Sequence, residues 1–281
     1  MVRRDGVRIA RRCWLPVDVA DDFLARCAIA LDTCADETVL SSTTAARIHG
    51  LWLPDGLDEI HLATSQAGRS SRSMTRTHRR EFIAHRRRLD ECDRTAVDGL
   101  SVMSIARTWL DLAAALCLPD VVAAGDSALR RGCSLADLAD VIERSRHVRG
   151  VLRAREALPM LDARSRSRPE SHLRVAVTGE GMPRFEVNEP VYRDEGGWLA
   201  EPDLSIAEAK LALEYQGADH AEIKRMRKDI TRQVDMRSER WRVLEYGPAQ
   251  VFGRPWAIRP EVRREIARRA PHLLACGRTS R

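Results

Sequence analysis

Two apolar stretches, Leu211-Ala212-Leu213 and Trp241-Arg242-Val243-Leu244, flank a long polar segment with helical spacing from Ala221 to Ser238. A strand, a long helix and a second apolar strand return to one sheet as a right-handed crossover, which makes the two strands parallel neighbours. That pattern commits the C-terminal part of the chain to a mixed α/β fold. Upstream, Glu186 to Tyr192 and Trp198 to Ser205 read as strands, the second forming a hairpin with Lys210 to Gln216. A helix from Glu170 to Thr178 precedes them, and a basic helix from Glu261 to Ala270 follows Pro260.

A chain of 281 residues accommodates two hydrophobic cores. The best boundary is the Arg/Ser-rich segment Ala163-Arg164-Ser165-Arg166-Ser167-Arg168-Pro169, which carries a Pro at a helix start. It divides the chain into domains 1–162 and 163–281. The first domain reads as mainly helical α+β with a short β region. Its expected helices are 18–33, Thr43 to Leu51 after an N-cap at Ser42, Ile105 to Leu116 ended before Pro119, Val121 to Arg131, Leu135 to Arg144 after the cap Ser134, and Val148 to Leu161. Ile60 to Ala63 and Phe82 to Ala84 look like strands, and Asp98-Gly99 between Val97 and Leu100 is a hairpin turn. Ile105, Trp109, Leu112 and Leu116 form the core face of their helix, while Arg107 and Asp111 lie one turn apart and can pair.

Of the 47 basic residues, only Lys210, Lys224 and Lys228 are lysine. Arg forks match phosphate oxygens, so a nucleic-acid partner is natural, although a GC-rich genome produces the same bias. No apolar run reaches the ~18 residues of a membrane helix. The start, Met1-Val2-Arg3-Arg4, lacks the apolar core of a signal peptide, and these features together point to a cytoplasmic protein without a membrane partner. The seven cysteines are scattered and never at CxxC spacing, so they read as reduced small hydrophobes. A metal would be held mainly by oxygen.

Asp203 and Glu214 supply such oxygens. Glu214 and Gln216 alternate onto one strand face, and hairpin pairing can bring Asp203 beside them. Two acids and a polar side chain converging on one spot is a way to hold Mg²⁺ or Mn²⁺ against a phosphate, with the Tyr215 carbonyl as a third ligand. Solvent-facing strand acids are the plain alternative. Glu170 likewise has two readings, a site acid or the N3 residue of a capping box with Ser167.

The order Ser167-Arg168-Pro169-Glu170, Pro202-Asp203, Glu214-Tyr215-Gln216 resembles the PD-(D/E)xK nuclease superfamily. The segment from Glu170 to about Phe252 is similar to a bacterial domain related to very-short-patch repair endonucleases, with Gly217, His220, Arg227, Asp229, Arg232 and Trp241-Arg242-Val243-Leu244 at the matching places. The resemblance implies a restriction-endonuclease-like mixed sheet flanked by helices. It also implies a Mg²⁺- or Mn²⁺-dependent DNA endonuclease, with DNA repair or defence as its setting. The implied catalytic residues are Glu170, Asp203, Glu214, Gln216 and His220; the metal ligands are Asp203, Glu214 and Tyr215; Arg227 and Arg232 contact DNA. Gln216 stands where that family usually has Lys, and an amide cannot supply the charge of an ammonium.

In the first domain, Leu40-Ser41-Ser42-Thr43-Thr44-Ala45-Ala46, His49-Gly50-Leu51, Gly99-Leu100-Ser101-Val102 and Arg107-Thr108-Trp109-Leu110-Asp111-Leu112 resemble the antitoxin-like region of type IV toxin–antitoxin (abortive infection) regulators. There, Gly6 to Trp14 corresponds to a wing. The resemblance implies a regulatory domain with a protein partner, and a non-catalytic DNA-binding regulator as the second functional expectation. A protein-interaction module is the third. The Arg-rich run 69–88, ending in Arg86, Arg87 and Arg88, reads either as a phosphate-tracking arm or as a solvated loop.

Overall fold

The computed structural model describes residues 6–10, 13–16, 22–34, 37–64, 82–217 and 234–275. The chain is of mixed α/β type and divides into two units, Met1–Pro159 and Met160–Arg281.

In the first unit, local chemistry sets most of the elements. Asp98 (φ 49°) and Gly99 (φ 78°) adopt the left-handed conformation that a two-residue hairpin turn requires, and they join β6 (Arg94–Val97) to β7 (Leu100–Met103) with Val97 opposite Leu100. With β3 (Val39–Leu40), β4 (Ile60–Thr64) and β5 (Phe82–Arg86), these strands form a five-stranded mixed sheet in the order β5-β4-β3-β7-β6. The β content is therefore larger than the short region expected. A separate hairpin pairs β1 (Gly6–Ala10) with β2 (Cys13–Pro16), the segment expected to be a wing.

Helix α1 runs Phe23–Asp32, with Asp22 Oδ1 accepting from the amides of Leu24 at 2.8 Å and Ala25 at 3.2 Å. Helix α2 is Ser42–Ile48, and its N-cap is Ser41 rather than Ser42. Helix α3 (Ile105–Leu112) is shorter than expected. Pro119 opens α4 (Leu118–Arg130) instead of terminating its predecessor, because its missing N–H costs nothing in a first turn. Helix α5 (Leu135–Arg144) carries the expected cap, a reciprocal box between Ser134 and Asp137. Helix α6 is only Val151–Ala157, beginning after Gly150 at φ 93° and followed by a 3₁₀ turn, Leu158–Met160.

In α3, Trp109 and Leu112 are fully buried, as their spacing implied. Arg107 meets Asp111 at 3.4 Å and Asp93 at 3.4 Å within the interior. Burial pushes the Asp111 carboxyl up from its ordinary value, against the pull of Arg107 and Arg87.

The second unit opens with α7 (Arg168–Val177), capped by Ser167. The two long strands expected next are each broken, and their halves join different sheets. Asn188 at φ 48° and Pro190 separate β8 (Glu186–Val187) from β9 (Val191–Tyr192). Pro202, which has no N–H for a ladder, separates β10 (Trp198–Ala200) from β11 (Leu204–Ile206). Strands β9 and β10 pair with each other. Strand β11 turns through Ala207–Lys210 into β12 (Leu211–Tyr215). The expected parallel neighbour is β13 (Arg242–Tyr246), with Leu211 opposite Arg242 and Tyr215 opposite Tyr246. Of the intervening helix, residues 234–238 are described and are helical.

The resulting sheet, β13-β12-β11-β8, lies between two apolar clusters. Leu204, Leu211, Leu213 and Leu244 pack with Leu173 and Val177 of α7 and with Val262 and Ile266 of α8 (Ile258–Arg269). Helix α8 starts before Pro260, not after it. Ala212 faces the other way, toward Val191, Leu199, Met236 and Trp241. Full burial of each such Leu contributes about 1.5–3 kcal/mol, which fixes the register against a one-residue slip.

Candidate active site

The register places four polar residues side by side at one end of this sheet. Leu204 pairs with Leu213 and with Val187, so one step along the ladder sets Asp203 between Asn188 and Glu214. Glu214 in turn pairs with Glu245 on β13. The row therefore reads Asn188, Asp203, Glu214, Glu245 across four neighbouring strands.

Continuing the ladder would set Tyr215 opposite Pro202, whose missing N–H leaves the Tyr215 carbonyl without a ladder donor. The Tyr215 N–H donates to the Asp203 side chain, reaching Oδ2 at 2.8 Å. The Asp203 backbone carbonyl faces the other neighbour and accepts from Asn188 N–H at 3.0 Å. Asp203 and Glu214 thus form a pair whose amides point away from each other, the arrangement in which Cα atoms lie about 4.5 Å apart and side chains are closest. By strand alternation Glu214 shares the face of Ala212, and it is only 4% exposed.

Glu170 is fully employed by its surroundings. Its Oε1 accepts from Ser167 Oγ at 2.8 Å; its Oε2 accepts from Arg166 N–H at 2.8 Å and Asn188 Nδ2 at 2.8 Å. Ser167 Oγ accepts from the Glu170 amide at 3.4 Å. The capping partnership is therefore present in altered form, with the acid reaching the Arg166 amide instead of that of Ser167. Asn188 donates its second amide hydrogen to Arg164 O at 2.9 Å. Through Asn188, the start of α7 is tied to Asp203.

Gln216 continues the strand face of Glu214. Its backbone N–H reaches Tyr246 O at 3.0 Å, and its Nε2 donates to Glu245 Oε1 at 3.2 Å. Glu245 was missed from sequence, because a contact across a parallel ladder depends on register and not on local spacing. Tyr215 projects to the opposite face, where its ring meets Phe252 at 6.4 Å; His172 and the Arg168 guanidinium contact Phe252 at 4.9 Å and 4.8 Å. His220, Arg227 and Arg232 lie outside the described residues. In the first unit, Arg86 and Arg88 are exposed. Arg87 turns inward, with its Nε 3.6 Å from Asp111 Oδ2.

Among the described residues, no group of three or more His, Cys, Asp or Glu side chains is placed to hold a metal ion. The register sets Asp203 and Glu214 opposite each other on neighbouring strands, and Pro202 has no N–H to offer the Tyr215 carbonyl. Carboxylate and carbonyl oxygens are hard donors, of the kind Mg²⁺ or Mn²⁺ accepts. No described helix is long and apolar enough to cross a membrane.

No family model matches the chain, and no solved structure matches it. Two uncharacterised proteins of Mycobacterium tuberculosis, from strain CDC 1551 / Oshkosh and strain H37Rv, are each 28% identical to it over 174 residues. The matched stretch is 61% of this chain and 64% of each relative, so the chain spans less than two thirds of their length.

Proposed function

We propose that the second unit is a divalent-metal-dependent endonuclease that hydrolyses DNA phosphodiesters. The observation that carries this reading is the placement of Asp203 directly opposite Glu214 at the end of the sheet, with Asp203 anchored by the Tyr215 amide. In this reading Asp203, Glu214 and the Tyr215 carbonyl would hold Mg²⁺ or Mn²⁺, which when bound polarises a phosphate and lowers the pKa of an attacking water. Glu170 acts by fixing Asn188, and so the strand end that carries Asp203, without touching substrate. Arg86 and Arg88 supply charge for phosphate contact.

A second reading, a regulator that binds DNA without cutting it, is favoured by one feature: Gln216 brings no positive charge to the position where the resembling nucleases carry Lys. A cleavage assay on duplex, nicked, mismatched and single-stranded DNA with Mg²⁺, Mn²⁺ or EDTA separates the two. Metal-dependent products abolished by Asp203→Ala support the nuclease. Tight, salt-sensitive binding with no product under any condition supports the regulator.

A further inference from the structure

The contact between Gln216 and Glu245 fixes more than a side-chain position. An ionised carboxylate only accepts hydrogen bonds, whereas an amide carries a donor end and an acceptor end. Glu245 Oε1 lies 3.2 Å from the Gln216 amide group, so the NH₂ must face Glu245 and the oxygen must face away. Both residues are exposed, and the strand ladder sets where their side chains begin. Glu214 and Glu245 are directly paired in a parallel ladder, and Gln216 shares the strand face of Glu214 one pleat further on. Its backbone is tied to Tyr246 O at 3.0 Å. Like charges directly opposite repel, and the Gln216 NH₂ gives the Glu245 carboxylate a donor.

We propose that Glu245 is a positioning residue for the hydrolytic reaction, which turns the Gln216 amide so that its oxygen, not its NH₂, faces the reacting phosphate and water. The role rests on the nuclease reading above. An acceptor oxygen there cannot neutralise charge on phosphorus, but it can hold one O–H of the attacking water. The water oxygen forms the new P–O bond as the P–O bond to the leaving sugar oxygen breaks. The water loses its proton to solvent, and solvent protonates the leaving oxygen. Gln216 keeps no proton at any stage. A Lys at 216 would form an ion pair with Glu245, so Gln216→Lys does not install the charge that resembling nucleases use.

The test combines kinetics with a readout that does not depend on turnover. In the ¹⁵N spectrum of the full chain, the Gln216 side-chain NH₂ is identified by its loss in Gln216→Ala. Glu245→Ala should shift that signal and speed its exchange with water, whereas Glu245→Gln, whose carbonyl can still accept, should leave it close to the parent. In cleavage with Mn²⁺, Glu245→Ala should lower kcat by about tenfold to a hundredfold with KM unchanged. Glu245→Gln should recover most of that loss, and Glu245→Ala should add nothing in a Gln216→Ala background. An unmoved NH₂ signal in Glu245→Ala overturns the positioning role even if cleavage is robust. An equal kcat loss in both backgrounds overturns it too, because Glu245 would then act without Gln216. A parent that cleaves nothing with any metal removes the nuclease reading and the role with it, whatever the NH₂ signal shows.

Discussion

Replacing Glu170 separates a structural acid from a catalytic one. The carboxylate is 8% exposed and accepts three hydrogen bonds, from Ser167 Oγ, Arg166 N–H and Asn188 Nδ2, each 2.8 Å long. In Glu170→Ala two backbone or amide donors lose a charged acceptor, at about 1–3 kcal/mol each, and the helix start loses part of its cap, at about 1 kcal/mol. Water entering the gap offsets part of this, so the expected cost is about 3–5 kcal/mol. Glu170→Gln behaves differently. Its carbonyl can occupy the Oε2 position and accept from Arg166 and Asn188, while its NH₂ donates to Ser167 Oγ, which has acceptor capacity to spare. Two hydrogen bonds survive at neutral strength and the third is replaced by one of opposite direction, at a cost of about 1–2 kcal/mol. Urea unfolding of the full chain, followed by circular dichroism, reads both. With a slope of about 1–3 kcal/mol per molar urea, Glu170→Ala should move the midpoint down by about 1 M or more, and Glu170→Gln by a clearly smaller shift, about a third to a half of it. Cleavage by folded Glu170→Gln should stay near the parent. A midpoint for Glu170→Ala indistinguishable from the parent would refute the stabilising role. A stable but inactive Glu170→Gln would show that the carboxylate itself takes part in the reaction.

Two further predictions concern the first unit. His61 Nδ1 and His85 Nε2 share one hydrogen bond at 2.8 Å between stacked rings, and both pKa values lie below the ordinary imidazole value, chiefly through burial, with His85 acting on His61 and Arg87 on His85. The unfolded chain therefore takes up protons first as pH falls through about 6.5, so stability is full above that value and declines below it. The urea midpoint should drop between pH 7.5 and 5.5, and a His61→Gln, His85→Gln double variant should lose part of that drop; an equal drop in both proteins rejects the assignment. For DNA binding, Arg86→Ala with Arg88→Ala should reduce the slope of log affinity against log salt by about 0.9 for each phosphate no longer neutralised, without changing the urea midpoint. Arg87→Ala should instead destabilise the fold by about 1–3 kcal/mol, because it weakens the neutralisation of buried Asp111. If Arg87→Ala changes the salt slope and leaves the midpoint untouched, Arg87 binds phosphate and is not an internal partner of Asp111.

The features legible in the sequence were those set within a few residues or by a strong topological rule. Asp98-Gly99 announced its turn, Ser134 its cap, and the apolar stretches at 211 and 241 their parallel pairing. The pairing of Asp203 with Glu214 followed from hairpin arithmetic. The breaks at Asn188-Glu189-Pro190 and at Pro202 were harder to see, because alternating apolar residues continue on both sides. Only the sheet shows that the two halves serve different partners. Pro119 looked like a stop signal, yet Pro is equally at home in a first turn, and the apolar positions on either side do not decide between the two. Arg87 reads as one of three equivalent basic residues until Asp111, 24 positions away, is seen beneath it. Glu245 has no local signature at all. Its place beside Glu214 depends on how the crossover returns the chain to the sheet.

The most direct test of the central claim is a titration of the full chain with Mn²⁺, followed by the loss of its free-ion paramagnetic resonance signal. It is run on the parent and on Asp203→Asn and Glu214→Gln, substitutions that keep side-chain size and remove one charge each. Paired carboxylates that serve a hydrolytic centre predict one Mn²⁺ per chain in the parent, weakened about tenfold or more in each variant, with Mn²⁺-dependent DNA cleavage lost in parallel. Binding that is absent from the parent, or unchanged in both variants, would contradict the claim that Asp203 and Glu214 form a shared metal site.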